Sequence, residues 1–330
     1  MGSARGVPRT PSVVDVTLER GRRYAIRIES VPRRFASTRL VWLPPQPDAE
    51  ARAVAAARAA DVVVAVVGIT SDLEGEESGV DQEGFKGGDR TSLDLPREER
   101  QLLEAVQATG KPLVVVVMSG SAIAVNWAKQ NANAILQAWY PGEEGGTAIA
   151  QTLDGTNNPS GRLPVTLYTG VDQLPEFTDY SMAARTYRYF EGRPLFPFGH
   201  GLSYTTFAYS GLKLPATVSA GEPLQVEAQV ANTGAREGDE VAQVYLTFPQ
   251  LPGAPLRALR GFTRVHLKPG ERQTLRFTLS DRDLSHVSLD GVHLVRAGHY
   301  GISVGGGQPG TGAAVVAGAF DIEGERTLPR

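Results

Sequence analysis

The sequence predicts an α/β layer built on a mostly parallel sheet, followed by an all-β sandwich and preceded by a short β segment. Three observations predict it. Between residues 48 and 198, β-branched apolar runs alternate with helical stretches, the pattern of strands joined by helical crossovers. From Tyr209 to Glu323 short alternating runs are separated by turn clusters, which fits an immunoglobulin-like sandwich of about seven strands. The chain has 330 residues, 41% of them hydrophobic, so it has material for roughly two cores.

Residues 1–47 read as β. Val14, Val16 and Leu18 alternate with polar residues, as do Tyr24, Ile26 and Ile28, and STRLVWLPP adds a short run closed by prolines. Two or three strands cannot form an independent sheet, so this segment reads as the tail of something larger. Residues 48–208 form the α/β region. An Ala-rich helix over Glu50–Ala60 leads into VVVAVVG, whose continuous β-branched character predicts a strand buried on both faces. A long acidic, glycine-rich loop follows, from Ile69 to Pro96. Next come a helix over Arg97–Thr109 stopped by Gly110, the strand LVVVVMSG, a helix over Ala122–Gln130 and the strand AILQAWY. A helix over Gly142–Leu153 and the strand RLPVTLY complete the region. In such sheets ligands meet the loops after the strand C-termini, so the loops after Gly68 and Met118 are the places to look for a site. In residues 209–330, LQVEAQVAN, EVAQVYLTF, LRFTLS and HYGISVGG alternate cleanly. The terminal GERTLPR is expected to be loose.

Several function classes fall away. Lys and Arg total 33 against 36 Asp and Glu, a net charge of -3, which gives no electrostatic footprint for nucleic acid or an anionic membrane. Cysteine is absent, which removes disulfides, thiol catalysis and cysteine-bound metals. No apolar run reaches the ~20 residues of a membrane span, and the first residues lack the apolar stretch of a secretory signal.

The acidic loop is the strongest chemical feature. TSDLEGEESGVDQEGFKGGDRTSLDLP gathers Asp72, Glu74, Glu76, Glu77, Asp81, Glu83 and Asp89 with five glycines. Clustered carboxyls raise one another's pKa and can keep one protonated, as a general acid requires. The plainer possibility is a solvated acidic loop. Calcium-loop spacing is missing and all five histidines lie elsewhere, so no metal and no cofactor is expected. Ser119 ends a strand before a helix but lacks a nucleophile-elbow pattern; Gly120 and Ser121 read as a helix cap. The aromatic stretch RTYRYFEGRPLFPFGHGLSYT reads either as glue between the two regions or as a sugar platform. Trp42, Trp127 and Trp139 are expected in the core.

Taken in order, ADVVVAVVG, LEGEE with GGDRTSLDLP, LVVVVMSGSA, AILQAWYPGEEGGTAIAQTLDGTNNPSGRLPVT, TYRYF, PLFPFGHGLSYT, ANTGAREGDEVAQVY and LRGFTRVHLKPGE resemble the C-terminal half of glycoside hydrolase family 3, from Ala49 to the C-terminus. Residues 1–47 more weakly resemble the end of a protective-antigen-type module inserted in some members. The resemblance implies an α/β sandwich domain followed by a fibronectin type III-like domain. It implies a retaining β-glucosidase or β-xylosidase in which a barrel domain supplies an aspartate nucleophile and the acidic loop supplies the acid/base glutamate. By that resemblance the acid/base role falls to Glu76, with Glu74 and Glu77 as alternatives and with Glu77 and Arg90 near substrate; Asp89 and Arg90 shape the loop. The barrel motif is absent from these residues. The expected partners are therefore a β-linked glycoside and a barrel-bearing chain or N-terminal half, and the isolated chain is expected to be inactive. The competing expectation is a non-catalytic carbohydrate-binding or scaffolding module.

Overall fold

The computed structural model describes residues 16–27, 48–75, 77 and 80–329. The α/β region runs in the order α1 (Ala49–Ala59), β1 (Val63–Gly68), the small strands β2 (Asp81–Gln82), β3 (Phe85–Lys86) and β4 (Asp89–Arg90), α2 (Arg97–Gln107), β5 (Leu113–Met118), α3 (Asn126–Asn131), β6 (Ala134–Gln137) and α4 (Gly145–Asp154). Strands β1, β5 and β6 form one sheet in the order β1-β5-β6, parallel throughout, with Val63 opposite Leu113 and Val114 opposite Ala134. β2, β3 and β4 form a miniature antiparallel meander within the acidic loop.

β5 carries the expectation of a doubly buried strand. It is central, and Val115, Val116 and Val117 are fully buried. β1 does not. Its inward residues Val63, Ala65 and Val67 pack with Ala57, Leu103 and Val106 of α1 and α2, but Val64 and Val66 are 48% and 59% exposed. Among the described residues β1 lies at the sheet edge with helices on one face only, so a β-branched run alone does not secure burial on both.

Residues 155–206 are mostly irregular, apart from a short 3-10 turn and α5 (Thr186–Tyr189). The expected strand RLPVTLY is reduced to one bridge between Leu167 and Phe196; Leu163 also exchanges backbone bonds with Gly199 and His200, but Pro164 and Pro197, which lack an N–H, interrupt the ladder between them.

The β-sandwich stacks a five-stranded sheet on a three-stranded one. Its strands are β7 (Phe207–Lys213), β8 (Thr217–Ser219), β9 (Leu224–Asn232), β10 (Gly238–Thr247), β11 (Ala258–Leu267), β12 (Arg272–Leu279), β13 (His286–Val287), β14 (His293–Val295), β15 (Gly298–Gly305), β16 (Val315–Glu323) and β17 (Arg326–Leu328), with α6 (Asp281–Leu284) after β12. The sheets run β11-β10-β15-β16-β8 and β12-β9-β7. β9 alternates buried and less buried positions along its whole length, placing Leu224, Val226, Ala228 and Val230 in one core with Val244, Leu246, Tyr300 and Phe320. The last residues are not loose: β17 pairs with β14, and Leu328 is buried in that core.

Toward the N-terminus, residues 16–27 form a turn, with Arg22 N–H donating to the Glu19 carbonyl, and no strand. Val16 and Ile26 are exposed, since no strand among the described residues offers them an apolar face. Val14, Ile28, Trp42 and the run STRLVWLPP lie outside the described residues. Trp127 is partly buried against the α/β core as expected, whereas Trp139 sits half-buried beyond β6 with a positive φ of 56°.

The two regions meet through buried polar contacts. Arg162 donates to the Glu240 carboxylate at 2.6 Å and to the Gly306 carbonyl at 3.2 Å; Tyr209 O–H donates to the other Glu240 oxygen at 2.7 Å. In the aromatic stretch, Tyr187 stacks on Phe198 with ring centres 4.2 Å apart and meets Tyr245 of β10 edge-on. That stretch does glue the two regions together.

Candidate active site

The C-terminal ends of β1, β5 and β6 converge on the start of the acidic loop. The polypeptide leaves β1 at Gly68, whose φ of 149° and tight surroundings exclude a side chain: a Cβ there would lie 1.7 Å from the Met118 carbonyl oxygen. The Gly68 amide donates to Glu99 of α2 at 2.8 Å. Burial raises the Glu99 carboxyl above its ordinary value, helped by the charge of Glu98 and opposed by the Gly68 hydrogen bond. Ile69 N–H then donates to the Met118 carbonyl at 3.0 Å, which fixes the first step of the loop against β5.

Five residues beyond Ile69, the loop is pinned by Glu74. Its Oε2 accepts the Tyr140 hydroxyl at 2.5 Å and the Gly120 amide at 3.2 Å. Tyr140 follows β6 and Gly120 follows β5, so one carboxylate ties the loop to two strand ends. Gly120 is required here: a Cβ would fall 2.6 Å from the Tyr140 ring and 2.9 Å from Glu74 Oε2. Burial alone would raise the Glu74 carboxyl. Hydrogen bonds from Ser121, Tyr140 and Gly120, with the Arg90 charge close by, together outweigh it and hold the group below its ordinary value. Tyr140 moves the opposite way, pushed up to about 12 by burial, by its bond to Glu74 and by the Glu74 charge. Among the described residues the neighbours of Glu74 are donors and a cation, which lower its carboxyl where clustered carboxyls would raise it.

Arg90 closes the other end of the loop. Its guanidinium donates to Ser92 carbonyl at 2.9 Å and to Ser121 Oγ at 3.1 Å, and it lies over the Phe85 ring at 5.2 Å. These bonds fit the loop-shaping role expected of it. Asp89 faces Lys86 across the β3–β4 pair and is exposed. Glu77 is exposed, with φ at 47°, and Glu76 lies outside the described residues. The structure thus joins Glu74 and Arg90 through Ser121, while Glu77 is exposed.

Gly120 and Ser121 do not cap a helix. α3 starts at Asn126 without a side-chain cap, and the two residues serve the Glu74–Arg90 cluster instead. Ser119 is fully buried; its hydroxyl donates to the Ser121 carbonyl at 2.7 Å and accepts from Gln137 at 3.2 Å, which leaves no free nucleophile. Tyr140 and Glu99 were not singled out in the sequence, and Gly120 was read there only as part of a helix cap. The available signal was their position directly after or beside strand ends. No group of three or more potential metal ligands stands together among the described residues. Also among them, no helix is long and apolar enough to cross a membrane.

Residues 2–204 match the glycosyl hydrolase family 3 C-terminal domain, and residues 240–308 match a fibronectin type III-like domain. A xylan 1,4-beta-xylosidase of Xylanibacter ruminicola is 49% identical over 217 residues, which cover 66% of this chain and 25% of that protein. A periplasmic beta-glucosidase of Salmonella typhimurium is 38% identical over 267 residues, covering 77% of this chain and 34% of that protein. The solved β-glucosidase of Erythrobacter marinus superposes with a TM-score of 0.69 at 35% identity, over 83% of this chain and 36% of its own. The chain therefore spans about a quarter to a third of the curated relatives it matches. With a parallel sheet, a carboxylate-pinned loop at its C-terminal edge and a fibronectin type III-like sandwich behind it, the chain belongs to glycosyl hydrolase family 3.

Proposed function

We propose that this chain is the acid/base-bearing part of a retaining β-glucosidase or β-xylosidase, acting on terminal non-reducing β-D-glycosyl residues once joined to a barrel that carries the nucleophile. The observation that carries the reading is the anchoring of the acidic loop by Glu74 to the ends of β5 and β6, where an open parallel sheet meets ligands. Glu74 is held ionised with one oxygen occupied, so it suits an anchor and not a proton donor. The acid/base role then falls to Glu76, two residues beyond the anchor, with Glu77 as the alternative. Arg90 acts on substrate through the loop shape it maintains.

In the first step a barrel aspartate attacks the anomeric carbon while the Glu76 carboxyl gives its proton to the glycosidic oxygen, and the alcohol leaves. In the second, the Glu76 carboxylate takes a proton from water, which attacks the same carbon and frees both the sugar and the aspartate. The two carboxyl groups must stand about 5–5.5 Å apart, so activity depends on docking of the two parts. Among the described residues nothing covers the outer face of β1, where Val62, Val64 and Val66 are each about half exposed, and such an apolar face favours a partner packed against it.

Mixing the chain with a separately produced family barrel tests the proposal on aryl β-glucoside and β-xyloside. Hydrolysis that appears only in the mixture and is lost in Glu76→Gln is the expected result. Sugar binding indifferent to Glu76, with no gain of hydrolysis, replaces this reading with a non-catalytic carbohydrate-binding module.

A further inference from the structure

A cleft of about 930 Å3 opens between α3, the aromatic stretch and the 308–312 turn of the sandwich, and none of its lining residues belongs to the acidic loop. We infer that this cleft binds a small organic anion, held by its carboxylate or phosphate group at the joint between the two regions.

The charges carry the inference. Lys129 of α3, Arg193 of the aromatic stretch and Arg257 just before β11 line the cleft from three separate parts of the chain, against one carboxylate, Glu191. The whole chain has a net charge of -3, so a lining with three cations to one anion runs against the average. Folding does not consume these charges. Lys129 donates to the Leu195 carbonyl, and Arg257 donates to the Gln308 side-chain oxygen at 3.2 Å, both neutral acceptors. At the same joint Arg162 has Glu240 as its counter-ion at 2.6 Å, whereas the three cleft cations have no such partner among the described residues. Cations of one sign gathered in a concave surface focus their potential and attract an anion.

Part of the receiving geometry is already built. Arg257 is half-buried, and the Gln308 that holds it is 3% exposed and donates in turn to the Phe198 carbonyl at 2.7 Å. A guanidinium fixed at one nitrogen keeps its other N–H groups for a carboxylate or phosphate, which it meets as a planar fork. Gly310 and Gly312 line the same cleft with φ of 79° and 87°, and a Cβ on either would meet nothing within 4 Å. The turn is therefore bare backbone beside open space, and the Gly310 amide has no acceptor among the described residues. Peptide N–H groups left open in such turns bind anions. The volume exceeds the needs of a bare ion and suits a sugar-sized molecule.

Three probes that share one pyranose ring test the inference by calorimetric titration of the full chain at low ionic strength: D-glucuronate, D-glucose 6-phosphate and D-glucose. Saturable binding of at least one of the two anions at about millimolar strength, and none of glucose, is expected. The tighter of the two anions tells carboxylate from phosphate recognition. Two rim substitutions of opposite sign then locate the site. Arg193→Gln is expected to weaken the bound anion about threefold and Glu191→Gln to tighten it about twofold; both side chains are exposed, so neither change burdens the fold. Glucose binding as tightly as the anions, no saturable binding of either anion up to about 10 mM, or an affinity that fails to move in opposite directions in the two variants overturns the inference.

Discussion

β10 and β1 are both apolar strands, yet they live in different surroundings. β10 is central in its sheet and buries Val244, Tyr245 and Leu246 completely, with an opposing sheet closing the core. β1 is an edge strand with α1 and α2 on one side and solvent on the other, leaving Val66 59% exposed. The sandwich completes its own core from residues 207–328; among the described residues the α/β sheet does not complete its own. Stability and function are divided accordingly. The self-sufficient region carries no catalytic candidate, and the incomplete one carries the acidic loop.

Severing the joint between the regions is the largest expected effect. Arg162→Met leaves Glu240, 3% exposed at its side chain, without its cation, and is expected to cost about 3–5 kcal/mol by denaturant unfolding. A loss below about 1 kcal/mol would mean the two regions fold without regard to each other. Next, Leu246→Ala in the sandwich is expected to cost about 2–5 kcal/mol, whereas Val66→Thr on β1 should stay within about 0.5 kcal/mol. A large cost at Val66 would show that the outer face of β1 is covered in solution, and the contrast between the two strands would fail.

The smallest effect sharpens the site itself. Tyr140→Phe removes one of the two bonds to Glu74 Oε2 and is expected to cost about 1 kcal/mol at neutral pH. The sign with pH follows from the lowered Glu74 carboxyl. Its contribution is present above its unfolded value of 4.5 and disappears as pH falls through the lower folded value. The gap between wild type and Tyr140→Phe should therefore be widest at neutral pH and close on acidification, as read from urea unfolding across that range. A gap independent of pH would assign the tyrosine to packing alone.

How much of this was legible in the sequence depends on how local each cause is. The alternation in LQVEAQVAN and the continuous apolar run of β5 report their strands directly, because the period of two and the burial of neighbours act within a few residues. RLPVTLY has the same composition but finds one bridging partner, Phe196, and that partner is set by the path of a distant segment. The same distance hid the Glu74 anchor: its partners lie 46 and 66 residues away. Read locally, Gly120 and Ser121 resembled a helix cap. The acidic loop was visible because acidic residues and glycines crowd together in sequence, but which of its glutamates is restrained depends on long-range contacts.

The bare backbone at Gly68 has a further consequence for anyone redesigning this scaffold. A carbonyl from β5 and a carboxylate from α2 both press on that position, so the exit direction of the first strand is locked by neighbours that tolerate no added atom. Engineering that shifts where the acidic loop points should therefore alter the span between Thr70 and Glu83, by insertion or deletion, and leave the pivot itself untouched.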